Sequence, residues 1–390
     1  MTNSVIETIK RDGPISYADF MELALYSPRN GYYAAGRNQF AADYLTAPMA
    51  HPAFGVLIAL QAVEMRRLMG AGEFQLVELG AGAGHLINAI AATLNADFPQ
   101  IAARLTLKAF DRAPAASAPI SVETLANWEN EPAFSGCVFS NELLDAMPVN
   151  KFVVRDGECY EIRVGALDGE LVEIEDKQPS RRINAALRSD LDKLPQGYKG
   201  EINLEMERWV ARLRRKMSRG YVITIDYGAH RVGGRRAGSL RTYYRQTQDR
   251  NPLARPTRVD ITADVDFTML ERAFEVNGFE LCGAVTQRRF LENLGLSDWI
   301  ANVRRSDMPQ SLKQANISAM LKLLAPDGFG GFKVYIHRLN APSAPLSGLN
   351  AERGAAFSEY DFSKPTKMLY NSEIYRGWGA ISGYNQIGSA

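Results

Sequence analysis

The sequence predicts a doubly wound α/β fold on a mostly parallel sheet, and three observations lead there. From about residue 74, short apolar runs alternate with longer stretches of helical periodicity, as repeated strand–helix units require. The first run stops at Gly80, Gly82 and Gly84, and a helical pattern opens directly after them. The 390 residues, 46% of them hydrophobic, suffice to bury a large core.

The elements follow in order. Phe74–Leu79 reads as a buried first strand, and Leu86, Ile90 and Leu94 mark one face of the helix after the glycines. Leu105–Phe110 is a second strand ending at Asp111, and Pro119–Val122 a short third. Cys137–Phe139 is a fourth, ending at Ser140-Asn141-Glu142. Tyr221–Ile225 is a fifth, ending at Asp226-Tyr227-Gly228. Between these last two, Lys151–Glu175 alternates around Arg155-Asp156-Gly157 and Leu167-Asp168-Gly169, the signature of an inserted antiparallel ribbon. A helix carrying Ile183, Leu187, Leu191 and Leu194 follows, then one carrying Leu204, Trp209, Val210, Leu213 and Met217. Residues 229–260, rich in Arg, Gly, Gln and Pro, read as a lid, a binding segment or a partly disordered loop. Phe267–Val276 is an amphipathic helix, Gly278–Leu281 starts a strand, and Phe332–Leu339 closes the sheet.

This pattern divides the chain into a helical N-terminal region and lid over the core at 1–70 and a cofactor-binding half-core at 71–150. An inserted ribbon and helices occupy 151–218, and the second half-core with its lid loop 219–340. The arm at 341–390 carries Tyr360, Phe362, Tyr370, Tyr375, Trp378 and Tyr384, more aromatics than a floppy tail would hold. It is expected to pack on the core or on a second subunit, so a homodimer is a candidate assembly.

Composition narrows the function. Forty-five basic and 44 acidic residues leave a formal charge of +1, with no global pull toward nucleic acid or anionic lipid. The clusters Arg212-Arg214-Arg215-Lys216 and Arg231-Arg235-Arg236 read as solvated faces or as a surface for an acidic partner. Three scattered cysteines suit reduced thiols, and four dispersed histidines lack zinc spacing, so no metal site is expected. The N-terminus has no signal core, and no apolar run approaches the roughly 20 residues that span a bilayer. A cytoplasmic protein without a membrane partner is the expectation.

The glycine loop Glu78-Leu79-Gly80-Ala81-Gly82-Ala83-Gly84 discriminates between nucleotides by spacing. Glycines permit a tight turn and close ligand approach, and the following helix offers unpaired N–H groups. A dinucleotide fingerprint needs a glycine where His85 stands, and a Walker loop needs a Gly-Lys-Ser/Thr ending that is absent. The E-x-G-x-G-x-G pattern instead resembles the cofactor loop of S-adenosylmethionine methyltransferases. In those enzymes an acid ending the second strand binds the ribose hydroxyls, and Asp111 stands there. Its alternative reading is a helix cap.

Ligands of open α/β sheets bind outside the carboxyl ends of the strands, which gathers Asn141, Glu142, Asp226 and Tyr227 near the glycine loop. Asp145 lies one turn beyond Glu142, so a helical segment would put both carboxylates on one face. Paired carboxylates suit a guanidinium or amine acceptor, through bidentate hydrogen bonds and proton uptake. Acids favoured by a helix dipole are the plainer reading.

Several further segments resemble the MidA-like (DUF185) methyltransferases. They are GPISYADFMELALYSPRNGYY at Gly13–Tyr33, YLTAPMAHPAFG at Tyr44–Gly55, VELGAGAGHL at Val77–Leu86 and SNELLDAMPVNKFV at Ser140–Val153. IDYG at Ile225–Gly228, NPLARPTRVDITADVDFTML at Asn251–Leu270 and TQRRFL at Thr286–Leu291 complete the set. The family includes a mitochondrial assembly factor that methylates an arginine on a subunit of respiratory complex I. The resemblance implies a Rossmann-like methyltransferase core with added helices and a ribbon. It also implies S-adenosylmethionine as cofactor, held by Glu78, Gly80, Ala81, Gly82, Gly84, Asp111, Asn141 and Pro48. Glu142, Asp145, Asp226 and Tyr227 are then the catalytic candidates.

The chain departs from the family at four places. Met49 stands where an acid usually follows T-A-P, Ala81 and Ala83 replace a Pro and an Arg, and Asp264 replaces a His. The stretch before N-P-L-A, Arg245-Gln246-Thr247-Gln248, has lost a His as well. Alanines preserve close backbone approach, so cofactor binding is expected to survive, whereas the acceptor is open between a protein arginine and a small metabolite. A non-catalytic assembly protein that keeps the nucleotide cradle as scaffold is the competing class.

Overall fold

A computed structural model describes residues 4–33, 45–114, 119–188, 190–230, 238–244, 247–350, 357 and 360–362. The Arg231–Arg236 cluster, Arg245-Gln246 and the aromatics from Tyr370 onward lie outside them. The chain forms two compact units. One comprises Leu45–Glu142, Leu213–Tyr227 and Phe274–Ala390; the other comprises Met1–Tyr44, Leu143–Arg212 and Gly228–Ala273. These divisions fall elsewhere than the expected limits at 70, 150 and 218. The helix Ala53–Met69 is buried almost all round, from Ala53 to Met65, in the core of the first unit, so residues 45–70 do not group with the N-terminal helices.

The first unit holds a seven-stranded sheet. Its strands are β1 (Phe74–Leu79), β2 (Leu105–Asp111), β3 (Val122–Thr124), β4 (Phe134–Asn141), β5 (Met217–Asp226), β6 (Glu280–Thr286) and β7 (Lys333–Leu339). Their spatial order is β3-β2-β1-β4-β5-β7-β6, and only β7 runs against its neighbours. Chain order reverses between β1 and β4, which opens a crevice at their carboxyl ends. Each strand lies where its apolar run predicts, except that β3 begins at Val122, where the expected strand ended, and β5 takes in Met217, expected on the preceding helix. One sheet face, with Leu76, Cys137, Phe139, Ile223, Ile225 and Ile336, packs with Leu57, Leu60 and Val63 of the helix Ala53–Met69. Each such side chain removed from water contributes about 1.5–3 kcal/mol before chain entropy is counted.

The described part of the C-terminal arm packs on this same core. The buried Glu64 carboxylate accepts from Ser347 N–H (2.9 Å), Ser347 Oγ (2.6 Å) and Gln61 Nε2 (2.7 Å). Gly348 N–H donates to Gln61 Oε1 at 2.9 Å. Further along, Phe362 packs edge-on to Trp299, and Tyr360 stacks on Phe98. An acid inside an apolar helix is thus satisfied by a segment nearly 300 residues away, in keeping with the rule that buried polar groups are bonded.

The second unit is antiparallel. Strands Asn150–Arg155, Glu158–Leu167 and Glu170–Pro179 form the expected ribbon. Its turns are left-handed at Asp156-Gly157 (φ 49° and 76°) and Asp168-Gly169 (φ 51° and 89°), the geometry that makes Asp-Gly a hairpin signal. Lys199–Ile202 pairs with the first ribbon strand and Ile15–Ser16 with the second. Two expectations are corrected. The helix through Ile183 stops at Leu187, where shorter three-residue hydrogen-bonded turns take over before Pro195. The expected lid loop contains Arg241–Tyr244, Thr247–Asp249 and Asp260–Thr262, paired as a small sheet whose long-range ladder has no local sequence signal. Among the described residues, no helix is long and apolar enough to cross a membrane.

One buried residue in the first unit works against stability. His337 on β7 is 1% exposed, stacks on Phe274 at 3.9 Å, and has no hydrogen-bond partner at either ring nitrogen. Burial pulls its pKa down to about 3 from an ordinary 6.5. The unfolded chain therefore takes up this proton first, and stability falls as pH drops from 6.5 toward 3. We expect His337→Leu to raise stability by about 1 kcal/mol at pH 7 in urea unfolding, because it removes the unsatisfied imidazole. The variant should also flatten the acid limb, and a less stable variant would show that the imidazole is satisfied.

Candidate functional site

The glycine loop leaves the carboxyl end of β1 as a chain of left-handed turns, with φ of 78° at Gly80, 53° at Gly82 and 74° at Gly84. Only glycine adopts three such angles at low cost. Gly80 and Ala81 donate their N–H groups to Phe110 O at 2.9 and 3.2 Å, which ties the loop to the end of β2. A Cβ on Gly82 would meet nothing within 4 Å, so this backbone faces open space. Gly84 then caps the helix His85–Asp97. Sequence reading missed the brace beneath it: Asn88 Nδ2 donates to Gly84 O (2.8 Å) and Asn88 Oδ1 accepts from Ile120 N–H (2.8 Å). Asparagine one turn into a helix carries no signal of such a role.

Three acceptors stand around this loop. Glu78, 3% exposed at the end of β1, accepts Ile87 N–H at 2.9 Å. Burial pushes its carboxyl up to about 8, with the charge of Asp111 adding to the effect. Asp111 ends β2 and accepts Gly82 N–H on Oδ2 and Ala113 N–H on Oδ1, both at 2.8 Å. Four lone-pair positions with two in use leave it two for a ligand. Asn141 ends β4 with its Nδ2 on Glu142 Oε1 at 2.8 Å, which fixes the amide the other way round: Oδ1 is buried and has no partner. Among the described residues, no ion pair reaches Glu78 or Asp111. The arrangement fits a ligand that is cationic and carries hydroxyl donors.

Of the acceptor-side candidates, Glu142, Asp226 and Tyr227 belong to the first unit. Glu142 sits beyond β4 in the left-handed region, φ 52°, an uncommon conformation for a side chain of its size. Its N–H bonds Ile225 O at 2.9 Å, and its Oε1 also takes a long contact of 3.4 Å from Ala47 N–H. Ala47 and the buried Pro48 begin the one-turn helix Ala47–Ala50, so the T-A-P segment is brought to Glu142. Asp226 is fully buried at the end of β5 and accepts Tyr227 N–H at 2.9 Å, while the Tyr227 ring packs on Phe332.

Asp145, 5% exposed, belongs to the second unit, and the segment from Glu142 to it is a turn rather than the expected helix. The left-handed Glu142 and the nearby Pro148 stop a helix from propagating. Asp264, at the family's histidine position, is ion-paired with Arg241, and its N–H donates to Ser239 Oγ at 3.0 Å. Ser239 in turn bonds Glu201 through both its N–H and Oγ. The exchange of His for Asp is thus matched by a neighbouring arginine on the strand Arg241–Tyr244.

Comparison with known proteins gives the family. Residues 57–285 match the model of a family described as "Putative S-adenosyl-L-methionine-dependent methyltransferase". The chain is 30% identical over 322 residues to the mitochondrial protein arginine methyltransferase NDUFAF7 homolog of Drosophila melanogaster, covering 72% of each chain. It is 24% identical to the Danio rerio mitochondrial protein arginine methyltransferase NDUFAF7, covering 82% of each. A crystal structure of a Burkholderia thailandensis protein bound to S-adenosyl-homocysteine superimposes with a TM-score of 0.76 at 27% identity, over 88% of this chain and 93% of that one. By the family model and these relatives, this chain belongs to the MidA-like family of S-adenosylmethionine-dependent methyltransferases.

Proposed function

We propose that this methyltransferase acts on a protein arginine, with Glu142 as the acid that engages the guanidinium. S-adenosylmethionine supplies an electrophilic methyl group on a sulfonium centre. Asp111 would take the ribose hydroxyls and the Asn141 amide oxygen the ammonium, with Glu78 adding negative charge. The backbone of Gly80, Ala81, Gly82 and Gly84, beside buried Pro48, would line the approach. The observation that carries the cofactor assignment is the buried, unpartnered Asn141 Oδ1. Two things support arginine: the names of the similar proteins, and the Glu142 carboxylate directly after β4. A guanidinium bonds carboxylates in pairs and must lose a proton on methylation, which a carboxylate can accept. Buried Asp226 and Tyr227 would complete the wall at the end of β5. A small guanidine or amine is the second reading, favoured by the neutralised Asp264 and by Met49.

Two tests follow from these assignments. A cation beside Glu78 favours its ionised form, so binding at pH 7 should expel a proton from a group whose pKa burial has raised to about 8. Titration calorimetry with S-adenosylmethionine in two buffers of different ionisation enthalpy should reveal that proton, and Glu78→Gln should abolish it. Buffer-independent heats would show that no proton leaves Glu78 on binding. For the acceptor, methyl-labelled S-adenosylmethionine is offered with single-arginine peptides, their lysine counterparts, free arginine and agmatine. Methylarginine in the peptides is the expected product, and Glu142→Gln should lower kcat by about 10²–10⁴ with cofactor affinity kept. Transfer to the small guanidines alone would support the metabolite reading; transfer to none of them would remove both.

A further inference from the structure

Residues 46–53 of the first unit turn the chain between two helices, and one histidine holds the corner. Thr46 O accepts Met49 N–H and Ala50 N–H at 3.0 and 3.1 Å, which closes the one-turn helix Ala47–Ala50. His51 is extended (φ −161°, ψ 137°), and the helix Ala53–Met69 starts two residues later. The corner stands beside the glycine loop. A Cβ on Gly55 would lie 2.5 Å from Ala89 Cβ, so the long helix begins directly against the helix that Gly84 caps. At its other end the corner presents Ala47 N–H to Glu142 Oε1.

The His51 imidazole is buried, and both of its nitrogens are committed. Ala53 N–H donates to Nδ1 at 3.1 Å, so the ring proton belongs on Nε2. Asn316, on the helix Gln310–Leu324, has its Nδ2 on Leu312 O at 2.8 Å, which turns its Oδ1 to the histidine. Nε2 donates to that oxygen at 3.1 Å, so tautomer and amide orientation fix one another. Burial pulls the imidazole pKa down to about 4 from 6.5, which favours the neutral ring that these bonds need. The bond ties the corner to a helix 265 residues further along the chain. Glu142 has reason to need such support. It stands in the left-handed region, and Asn141 Nδ2 and Ala47 N–H both donate to its Oε1. The Ala47 contact is long, at 3.4 Å, so a small shift of the corner decides whether it is kept.

We propose that His51 and Asn316 are positioning residues for methyl transfer: their bond sets the corner so that Ala47 N–H stays on Glu142 and holds that carboxylate in its reacting orientation. This rests on the reading of Glu142 as the acceptor-engaging acid. Neither residue touches substrate or cofactor in this account. Small displacements at a reacting group are costly, since effective catalysis needs near-attack geometry. Three variants isolate the bond. Asn316→Leu keeps the volume and removes the acceptor. His51→Asn keeps an acceptor for Ala53 N–H and cannot reach Asn316. Asn316→Asp keeps an acceptor at the same place.

The experiment measures methyl transfer to the single-arginine peptide and to agmatine, with and without Glu142→Gln. Assays run at pH 8, above the ordinary histidine pKa of about 6.5, so that the ring stays neutral beside a carboxylate. They run at a temperature where circular dichroism shows every variant folded, so that lost stability alone leaves kcat unmoved. We expect kcat to fall by about 10- to 100-fold in Asn316→Leu and in His51→Asn. KM for the acceptor and calorimetric affinity for S-adenosylmethionine should move far less, and Asn316→Asp should keep most of the wild-type rate. In the Glu142→Gln background the same substitutions should cost nothing further, because they act through that residue. Should Asn316→Leu fail to fold, His51→Asn carries the same test. Unchanged kcat in the variants that lose the bond overturns the proposal, as does an equal loss with and without Glu142. An Asn316→Asp protein as slow as Asn316→Leu overturns it too. If wild type transfers to neither probe, or Glu142→Gln is fully active, the acceptor reading itself falls and this role falls with it.

Discussion

Glu78, Asp111 and Asn141 end three strands of one sheet; backbone amides serve the two acids, the Asn141 amide donates to Glu142, and, among the described residues, no basic side chain takes part. Negative charge and unfilled acceptors at one place are costly in a folded protein unless a ligand answers them. Burial pushes the Glu78 carboxyl up to about 8, the direction that such a cost requires. The left-handed glycines belong to the same constraint. They let the chain turn tightly enough for Gly82 N–H to reach Asp111 while keeping side chains out of the ligand's approach.

Sheet topology supplies the convergence. Placing β1 between β2 and β4 brings the ends of all three together without long loops, and the adjacent β5 adds Asp226. The helix Ala53–Met69 buries one sheet face, and the arm from Leu346 onward completes that core through Glu64 and Ser347. The extension that sequence left open between two packing partners is, in its described part, built into its own unit.

Much of this was legible in the sequence because it is local. Strand ends at Leu79, Asp111, Asn141 and Asp226 follow from apolar runs meeting polar residues, and both Asp-Gly hairpins from the turn chemistry they need. What sequence did not disclose is carried by distant partners. The helix expected across Glu142 and Asp145 is absent, and the carbonyls of residues 144–146 are taken by Asn203, Ala263 and Tyr26. The family's missing histidine looked like lost chemistry until Arg241, 23 residues before it, proved to neutralise Asp264. Asn88 and Ser239 likewise brace the structure through contacts that no spacing rule marks.

The most direct test of the central claim is a crystal structure of this protein with S-adenosylmethionine or its demethylated product. The account predicts ribose hydroxyls on Asp111, the ammonium on Asn141 Oδ1 and close backbone contact at Gly82. A ligand bound with Asp111 and Asn141 both beyond hydrogen-bond reach, or lodged away from the carboxyl ends of β1 and β4, would contradict it.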